Sequence, residues 1–280
     1  MNCFFNNICE ILHKNRIESP RLEARRLAGF VLNKEYSIIS GFEELSADEQ
    51  EKISLLAQKR IAGCPIDKII GKKSFYKSDF FVDENVLSPR PDTEILVENA
   101  IEIAQKNDFS SVVDLGTGSG CILLSVLQDC PHLHGLGIDA SQNALKTAEK
   151  NIKNLNLADR ANLMHLSWNN VDFAQKIGKK FDMIVSNPPY IPESDAASLA
   201  KEVINFDPKE ALFSGSDGLK DYRAIAKVAP HILNNGGYIL LEAGIHQAEE
   251  IEKIFETAGF VWQKTVNDLA AIPRCVILKK

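Results

Sequence analysis

Residues 111–121 read Ser111-Val112-Val113-Asp114-Leu115-Gly116-Thr117-Gly118-Ser119-Gly120-Cys121, and the apolar stretch Ile122-Leu123-Leu124 follows. A short apolar run suits a strand buried on both faces of a parallel sheet. Glycines at 116, 118 and 120 then let the chain turn sharply and approach a ligand that a Cβ would block. After Gly120 the pattern is helical as far as Leu127. A strand, a glycine loop and a helix in that order open an α/β ligand-binding unit, whose ligands lie beyond the carboxyl ends of the strands. A dinucleotide fingerprint would place its third glycine at position 121, where this chain has Cys121, so pyrophosphate binding is disfavoured.

Working outward, strand candidates at 133–138, 162–166, 181–186, 237–241, 260–266 and 275–278 bring the expected strands to seven. Helical spacing fills most of the gaps, as at 141–155 and 218–233. Strands alternating with helices imply a parallel sheet covered on both faces. Only residues 267–274 separate the last two strands, too few for a crossover helix, so that pair is expected to be antiparallel. Before about Glu94 the pattern differs. Phe4, Phe5, Ile8, Ile11 and Leu12 recur at helical spacing, as do Leu22, Leu27, Phe30 and Val31 behind Pro20. Ser46 with Glu49 forms a capping-box signal ahead of Ile53, Leu56 and Ile61. These are three short helices of a small bundle ending near Cys64-Pro65. Residues 74–86 alternate aromatic and polar side chains, which suits a β-hairpin. The expected organisation is a helical-bundle domain over 1–73, a hairpin linker over 74–86 and an α/β domain over 87–280.

The chain of 280 residues is 45% hydrophobic and 25% charged, the balance of an ordinary globular protein. Its formal net charge of -6 repels phosphate backbones on average, so stable nucleic-acid binding is not expected. Cys3, Cys9, Cys64, Cys121, Cys130 and Cys275 include no C-x-x-C pair and the histidines are scattered, so no metal site and reduced thiols are expected. Residues 1–16 lack a leading basic stretch, and Glu10 interrupts their apolar residues, which disfavours a signal peptide. No apolar run approaches the roughly 20 residues of a membrane span. A soluble, cytoplasmic protein with no membrane contact is expected, with a monomer as the default.

Asp139 closes the second strand, 23 positions beyond Gly116. An acid there can accept hydrogen bonds from two ribose hydroxyls, or cap the helix beginning near Ser141. Trp168 follows the third strand, where its indole could lie against an adenine ring or fill the core. Asp114 is placed to orient the glycine loop through backbone hydrogen bonds. The sequence Asn187-Pro188-Pro189-Tyr190 directly follows the fourth strand. Two prolines stiffen the loop and leave their carbonyls free to accept. A side-chain amide or a base amine is planar and weakly nucleophilic, and carries two N–H donors. The Asn187 side chain and the Pro188 carbonyl could hold both, while Tyr190 packs flat on the planar group. Alignment and fixed dipoles would then do the catalytic work without a general base. The plain alternative is a rigid strand-to-loop turn.

The G-x-G-x-G spacing after an acid resembles the S-adenosylmethionine motif, and seven strands with one reversed resemble the Rossmann-like methyltransferase sheet. With Asn187–Tyr190, the stretch Gly71-Lys72-Lys73-Ser74-Phe75-Tyr76 and the block Leu87-Ser88-Pro89-Arg90-Pro91-Asp92-Thr93-Glu94, the chain resembles the release-factor glutamine methyltransferases over essentially its whole length. Those enzymes methylate N5 of the glutamine in the Gly-Gly-Gln motif of peptide chain release factors. The P-R-P-D-T-E block separates this group from amino-methylating DNA enzymes. The resemblance implies S-adenosyl-L-methionine as cofactor, S-adenosyl-L-homocysteine as product, no metal, and a release factor as partner, received with help from the N-terminal domain. It implies that Gly116, Thr117, Gly118, Ser119, Gly120, Asp139, Trp168 and Asn187 contact the cofactor. It implies that Asn187, Pro188, Pro189 and Tyr190 hold the substrate glutamine, with Asn187, Pro188 and Tyr190 catalytic. Read alone, the P-R-P-D-T-E block is a linker that caps the next helix through Asp92 or Thr93. One departure is Ser167, where the family often has an acid. A neutral serine is a weaker acceptor for the adenine amine. Other readings remain: a ribosomal-protein glutamine as acceptor, an adenine or cytosine amino group, or a cofactor-binding scaffold without turnover.

Overall fold

The computed structural model describes residues 3–280, and they fall into two compact units. The helical unit comprises the chain up to Lys72 together with Ala200–Phe206. Its helices are α1 (Cys3–Lys14), α2 (Pro20–Leu32), α3 (Ala47–Ile61), the short α4 (Ile66–Ile70) and, much later in sequence, α9 (Lys201–Phe206). The capping box at α3 is present in full, with Ser46 and Glu49 each bonding the other's backbone. Phe5, Ile8 and Leu12 of α1 pack against Ala24, Leu27 and Ala28 of α2 and Ile53 and Ala57 of α3. Leu22 and Phe30 of α2 point outward instead, 46% and 52% exposed. The inner face of α2 carries Ala24, Leu27, Ala28 and Gly29, and the following chain folds back tightly against Gly29. A Cβ on Gly29 would stand 2.8 Å from the Lys34 carbonyl oxygen. Arg60 is buried between Glu23 and Glu202, each at 2.6 Å. Lys68 donates to the Phe206 carbonyl at 2.8 Å, so side chains of α3 and α4 fasten the late-coming α9.

The α/β unit begins with a two-stranded hairpin, β1 (Lys72–Phe75) and β2 (Ser78–Phe81), turned at Tyr76, whose φ is +54°. The paired strands end earlier than the expected 74–86. Val82 and Val86 keep their buried side chains but pack on Ala144 rather than extending the hairpin. After α5 (Glu94–Lys106) comes the main sheet: β3 (Ser111–Leu115), β4 (His134–Asp139), β5 (Ala161–His165), β6 (Phe181–Ser186), β7 (Leu233–Glu242), β8 (Val261–Asn267) and β9 (Pro273–Lys279). The intervening helices are α6 (Cys121–Asp129), α7 (Gln142–Asn154), α8 (Phe173–Ile177), α10 (Lys220–Ile232) and α11 (Ala248–Thr257). The strand order is β5-β4-β3-β6-β7-β9-β8. β3 through β7 pair in parallel, and β9 runs antiparallel between β7 and β8. This is the Rossmann-like methyltransferase sheet with one reversed strand.

Alternation along the strands builds the two layers. Val112, Met183, Val185, Leu240 and Ile277 face α5, α6 and α7, whereas Val113, Ile184, Ile239, Leu241 and Val276 face α8, α10 and α11. The order has one reversal that matters for function. From β3 the chain steps outward to β4 and β5, then crosses back to β6 on the other side of β3. The crevice at the carboxyl ends of β3 and β6 is therefore the topological switch point, where open α/β sheets bind ligands.

Candidate active site

Both chemistry-bearing loops leave the sheet at that switch point. Asp114 of β3 stands in register with Val185 of β6, so Gly116 and Asn187 follow the ends of adjacent parallel strands. The buried Ser186 hydroxyl donates to the Leu115 carbonyl at 2.6 Å and locks the two strand ends together. Gly116, Gly118 and Gly120 all have positive φ, between 54° and 82°. An L side chain is strained there. The loop is anchored to β4 as well, since Gly116 and Thr117 donate to the Ile138 carbonyl and Gly118 donates to Asp139 Oδ2 at 2.9 Å.

Within the loop the side chains of Thr117 and Ser119 are buried. Thr117 Oγ1 donates to Asp114 Oδ2 at 2.8 Å, and the Ser119 carbonyl accepts from Asn151 at 2.8 Å. What the loop offers a ligand is therefore backbone, at the half-buried Gly116 and Gly118. Asp114 Oδ1 is buried without a hydrogen-bond partner. Burial pushes the Asp114 carboxyl up to about 7, against the Thr117 hydrogen bond that lowers it. Asp114 thus braces Thr117 rather than bonding the loop backbone directly. Asp139 serves the loop and the next helix together. Oδ2 holds Gly118, Oδ1 accepts from the Ser141 backbone at 2.8 Å, and Ser141 itself caps α7.

Trp168 edges the same loop. A Cβ on Gly116 would lie 3.3 Å from its ring. The indole Nε1 donates to Asp221 at 2.9 Å, and that aspartate also accepts from Ser214 at 2.8 Å. The ring also packs on the core layer of α10 and α11, so its position is fixed. The Ser167 hydroxyl accepts from the Asn169 backbone at 3.2 Å, a local turn bond.

At the other loop Pro188 is buried, while Asn187, Pro189 and Tyr190 are half-buried. Asn187 Nδ2 donates to Thr93 Oγ1 at 3.4 Å. The Tyr190 carbonyl accepts from Gln247 at 2.9 Å, and a Cβ on Gly244 would meet the Tyr190 ring at 2.9 Å. Burial, and after it the charge of Glu242, push the Tyr190 phenol up to about 12, so it is neutral near pH 7.

The expected helix cap in the P-R-P-D-T-E block is absent, and each polar side chain is spent elsewhere. Asp92 pairs with Arg274 at 3.3 Å, and Arg90 with Asp207 at 3.5 Å. Glu94 accepts from the Tyr76 backbone at 2.9 Å, and Thr93, the N-cap of α5, makes no side-chain cap bond. The reason is backbone geometry: Thr93 has φ -67° and ψ -19° and ends the 3-10 turn Pro91–Thr93 that leads straight into α5, so it lacks the extended backbone a capping side chain needs. Glu242, at the end of β7, is buried at 2% exposure with Oε2 unpartnered. Desolvation pushes its carboxyl up to about 7, a rise that the Thr93 side chain, the Arg274 charge and the Asn187 side chain moderate. Thr93, Glu242 and Asp221 are site residues that motif reading did not select. Glu242 alone carried a signal, as an acid closing a strand beside β6. Among the described residues, no cluster of three or more His, Cys, Asp or Glu side chains is placed to hold a metal ion.

Residues 5–71 match the family described as the PrmC N-terminal domain, and residues 90–219 match the methyltransferase small domain. A release factor glutamine methyltransferase of Bradyrhizobium diazoefficiens is 39% identical over 275 residues, covering 96% of this chain and 91% of that protein. The chain belongs to the release factor glutamine methyltransferase family. A bifunctional methyltransferase of Rickettsia typhi is 38% identical over 97% of this chain, but the chain spans only 55% of that relative's length. A methyltransferase structure from Pyrococcus furiosus superposes with a TM-score of 0.53 at 16% identity, covering 80% of this chain and 98% of the other, a likeness of fold. In this family setting the features at the β3 turn fit an S-adenosylmethionine-type ligand. Gly118 has open space where a Cβ would stand, the neighbouring backbone is half-exposed, and an orphaned buried carboxyl oxygen lies behind it.

Proposed function

We propose that this chain transfers a methyl group from S-adenosyl-L-methionine to the side-chain amide nitrogen of the Gly-Gly-Gln glutamine in a peptide chain release factor. The observation carrying this reading is the register of β3 with β6, which sets Asn187 and the glycine turn side by side at the switch point. The cofactor would supply a methyl group on a sulfonium, already a good leaving group, and would leave as S-adenosyl-L-homocysteine. Gly116–Gly120, Asp139, Trp168 and Asn187 are the residues assigned to hold it: the loop through backbone, Asp139 at the ribose and Trp168 beside the adenine.

On the acceptor side, Asn187 Oδ1 and the Pro188 carbonyl would accept the two N–H groups of the glutamine amide. That grip orients the nitrogen lone pair and raises electron density on it as the N–C bond forms. The bound cofactor would supply an electrophilic methyl group and keep the C–S electron pair on its sulfur, and the glutamine nitrogen would give up one proton as or after the N–C bond forms. Pro189 stiffens the loop, and Tyr190 packs on the planar amide and excludes water. A phenol held neutral up to about 12 fits a packing role and not a base.

The release factor itself is assigned to the helical unit. Phe30, Val31, Leu55 and Leu56 line a groove there, with the stems of Lys52 and Lys59 at its sides. We place the enzyme in the cytoplasm, where release factors work; no helix among the described residues is long and apolar enough to cross a membrane. The net charge of -6 disfavours stable nucleic-acid binding, and a monomer is the default expectation. The test is incubation of a purified release factor with labelled cofactor, followed by mass spectrometry of the Gly-Gly-Gln peptide. An unmodified glutamine beside an active control enzyme refutes the substrate, and label on nucleic acid instead would reassign it.

A further inference from the structure

We infer that Thr93 and Glu242 are positioning residues that decide which end of the Asn187 carboxamide faces the acceptor; this rests on Asn187 as the acceptor-binding group proposed above. A carboxamide has an acceptor oxygen and a donor nitrogen of nearly equal size, and only the oxygen can accept from a substrate N–H. Its shape does not choose between the two ends, so its neighbours must. Asn187 Nδ2 donates to Thr93 Oγ1 at 3.4 Å. The buried Glu242 carboxylate has the side chains of Thr93 and Asn187 as its hydrogen-bonding neighbours. An ionised carboxylate only accepts. It therefore favours the NH2 end of Asn187 on its side and leaves Oδ1 for the acceptor amide.

Two observations single out this pair. Thr93 is buried at 2% exposure in the helical backbone of the 3-10 turn Pro91–Thr93, and its hydroxyl makes no bond to the α5 backbone. Its hydroxyl is spent on Asn187, 94 residues away. Glu242 is a buried acid with one orphaned oxygen that no other step uses. The cation it senses, Arg274, is already bonded to Asp92 at 3.3 Å and Asp268 at 3.0 Å. A buried carboxylate with one oxygen unpartnered and no cation of its own is a net cost to the fold, which an uncharged residue of the same size would avoid.

The experiment compares wild type with Thr93→Val, Thr93→Ser and Glu242→Gln, measuring kcat, KM and cofactor Kd. Thr93→Val should lower kcat about tenfold or more with KM and Kd within about twofold, and Thr93→Ser should restore it. Wild-type kcat should fall as pH drops through the neutral range, because a protonated carboxyl also donates and no longer discriminates the ends of Asn187. Glu242→Gln should start lower and lose that dependence. The other groups facing Glu242 are Asp92, Arg274, Cys121, Cys275, Tyr190 and Tyr222, and the difference between the two pH profiles isolates its own contribution. Independently of turnover, the Asn187 carboxamide NMR signals, assigned by their loss in Asn187→Asp, should shift with pH across the neutral range in wild type and not in Glu242→Gln. Wild-type kcat in Thr93→Val, or carboxamide signals indifferent to Glu242, overturns the inference. A wild type that leaves the release-factor glutamine unmodified overturns the proposed substrate instead, and the NMR comparison still decides the positioning role.

Discussion

Replacing Glu242 by glutamine should stabilise the α/β unit several times more at pH 8 than at pH 5. Burial raises the Glu242 carboxyl from its ordinary value of 4.5 to about 7 in the folded protein. A buried acid shifted upward supports the fold fully below about 4.5 and loses that support as pH climbs toward 7, because the unfolded chain ionises first. The shift corresponds to roughly 3 kcal/mol, at about 1.4 kcal/mol per pH unit. Glutamine mimics the protonated acid, so it avoids this loss at pH 8 and gains only about 1 kcal/mol at pH 5, where little of the loss has yet occurred. For a domain of this size the gain is a rise in Tm of roughly 5–10 °C. Both tryptophans, Trp168 and Trp262, lie in the α/β unit, so intrinsic fluorescence during heating reports that unit and not the helical one. Other buried acids such as Asp114 are common to both proteins and cancel in the comparison at each pH. An equal Tm difference at pH 5 and pH 8, or a less stable variant at pH 8, would refute the view that Glu242 is a desolvated carboxylate. Combined with a loss of turnover, the expected result is a residue that works against the fold and for the reaction.

Asn187→Ala should reduce kcat by roughly 100-fold or more while cofactor Kd changes only a few-fold; near-normal turnover would remove the proposed acceptor grip. Ser167→Asp should tighten S-adenosylmethionine binding by roughly three- to tenfold, since an ionised acceptor bonds the adenine amine more strongly than a hydroxyl tied to Asn169; calorimetry showing equal or weaker binding counts against an adenine site there. Leu55→Glu, at a 52% exposed position of the helical groove, should raise KM for an intact release factor roughly tenfold and leave a short Gly-Gly-Gln peptide unaffected. Equal effects on both substrates would place the release factor elsewhere. Near pH 7, binding of the cationic cofactor should release protons from Asp114 and Glu242, both held at about 7, while the product, which lacks the sulfonium charge, should release fewer. Calorimetry in buffers of different ionisation enthalpy measures this, and equal proton release by the two ligands would contradict it.

The central strands were readable because they are buried on both faces and stand out as apolar runs between glycines or polar turns, whereas the edge strand β8 is largely exposed. β6 falls where it was expected, at 181–186, and β3 at 111–115. The capping box of α3 was readable for a similar reason, being local chemistry between Ser46 and Glu49. The outward turn of Leu22 and Phe30 was not, because α2 turns Ala24, Leu27, Ala28 and Gly29 inward, and three of these four are small residues that apolar spacing does not pick out. Within the site, glycines and prolines announce themselves by what they do to the backbone. Thr93 and Glu242 do not. Local rules assign the Thr93 hydroxyl to its own helix, and only the fold brings Asn187, 94 residues on, within its reach.

The places where local rules fail cluster around one strand end. Asp114 is the last residue but one of β3 and Glu242 the last of β7, the two strands that flank β6. Both are buried, both have an unpartnered oxygen, and both are pushed up to about 7. Hydrophobic residues there would make a more stable sheet, with no desolvated acid on either side of Ser186-Asn187. The arrangement instead gives each loop a rigid acceptor at its root. Asp114 takes the Thr117 hydroxyl and fixes the glycine turn, and the Glu242 side acts on Thr93 and Asn187. A reaction without a general base has to draw its rate from alignment and fixed dipoles. An acid that fixes a neighbour's orientation supplies that alignment without touching the reacting atoms. The stability lost at the ends of β3 and β7 is therefore best understood as the cost of holding two otherwise adjustable loops in one geometry.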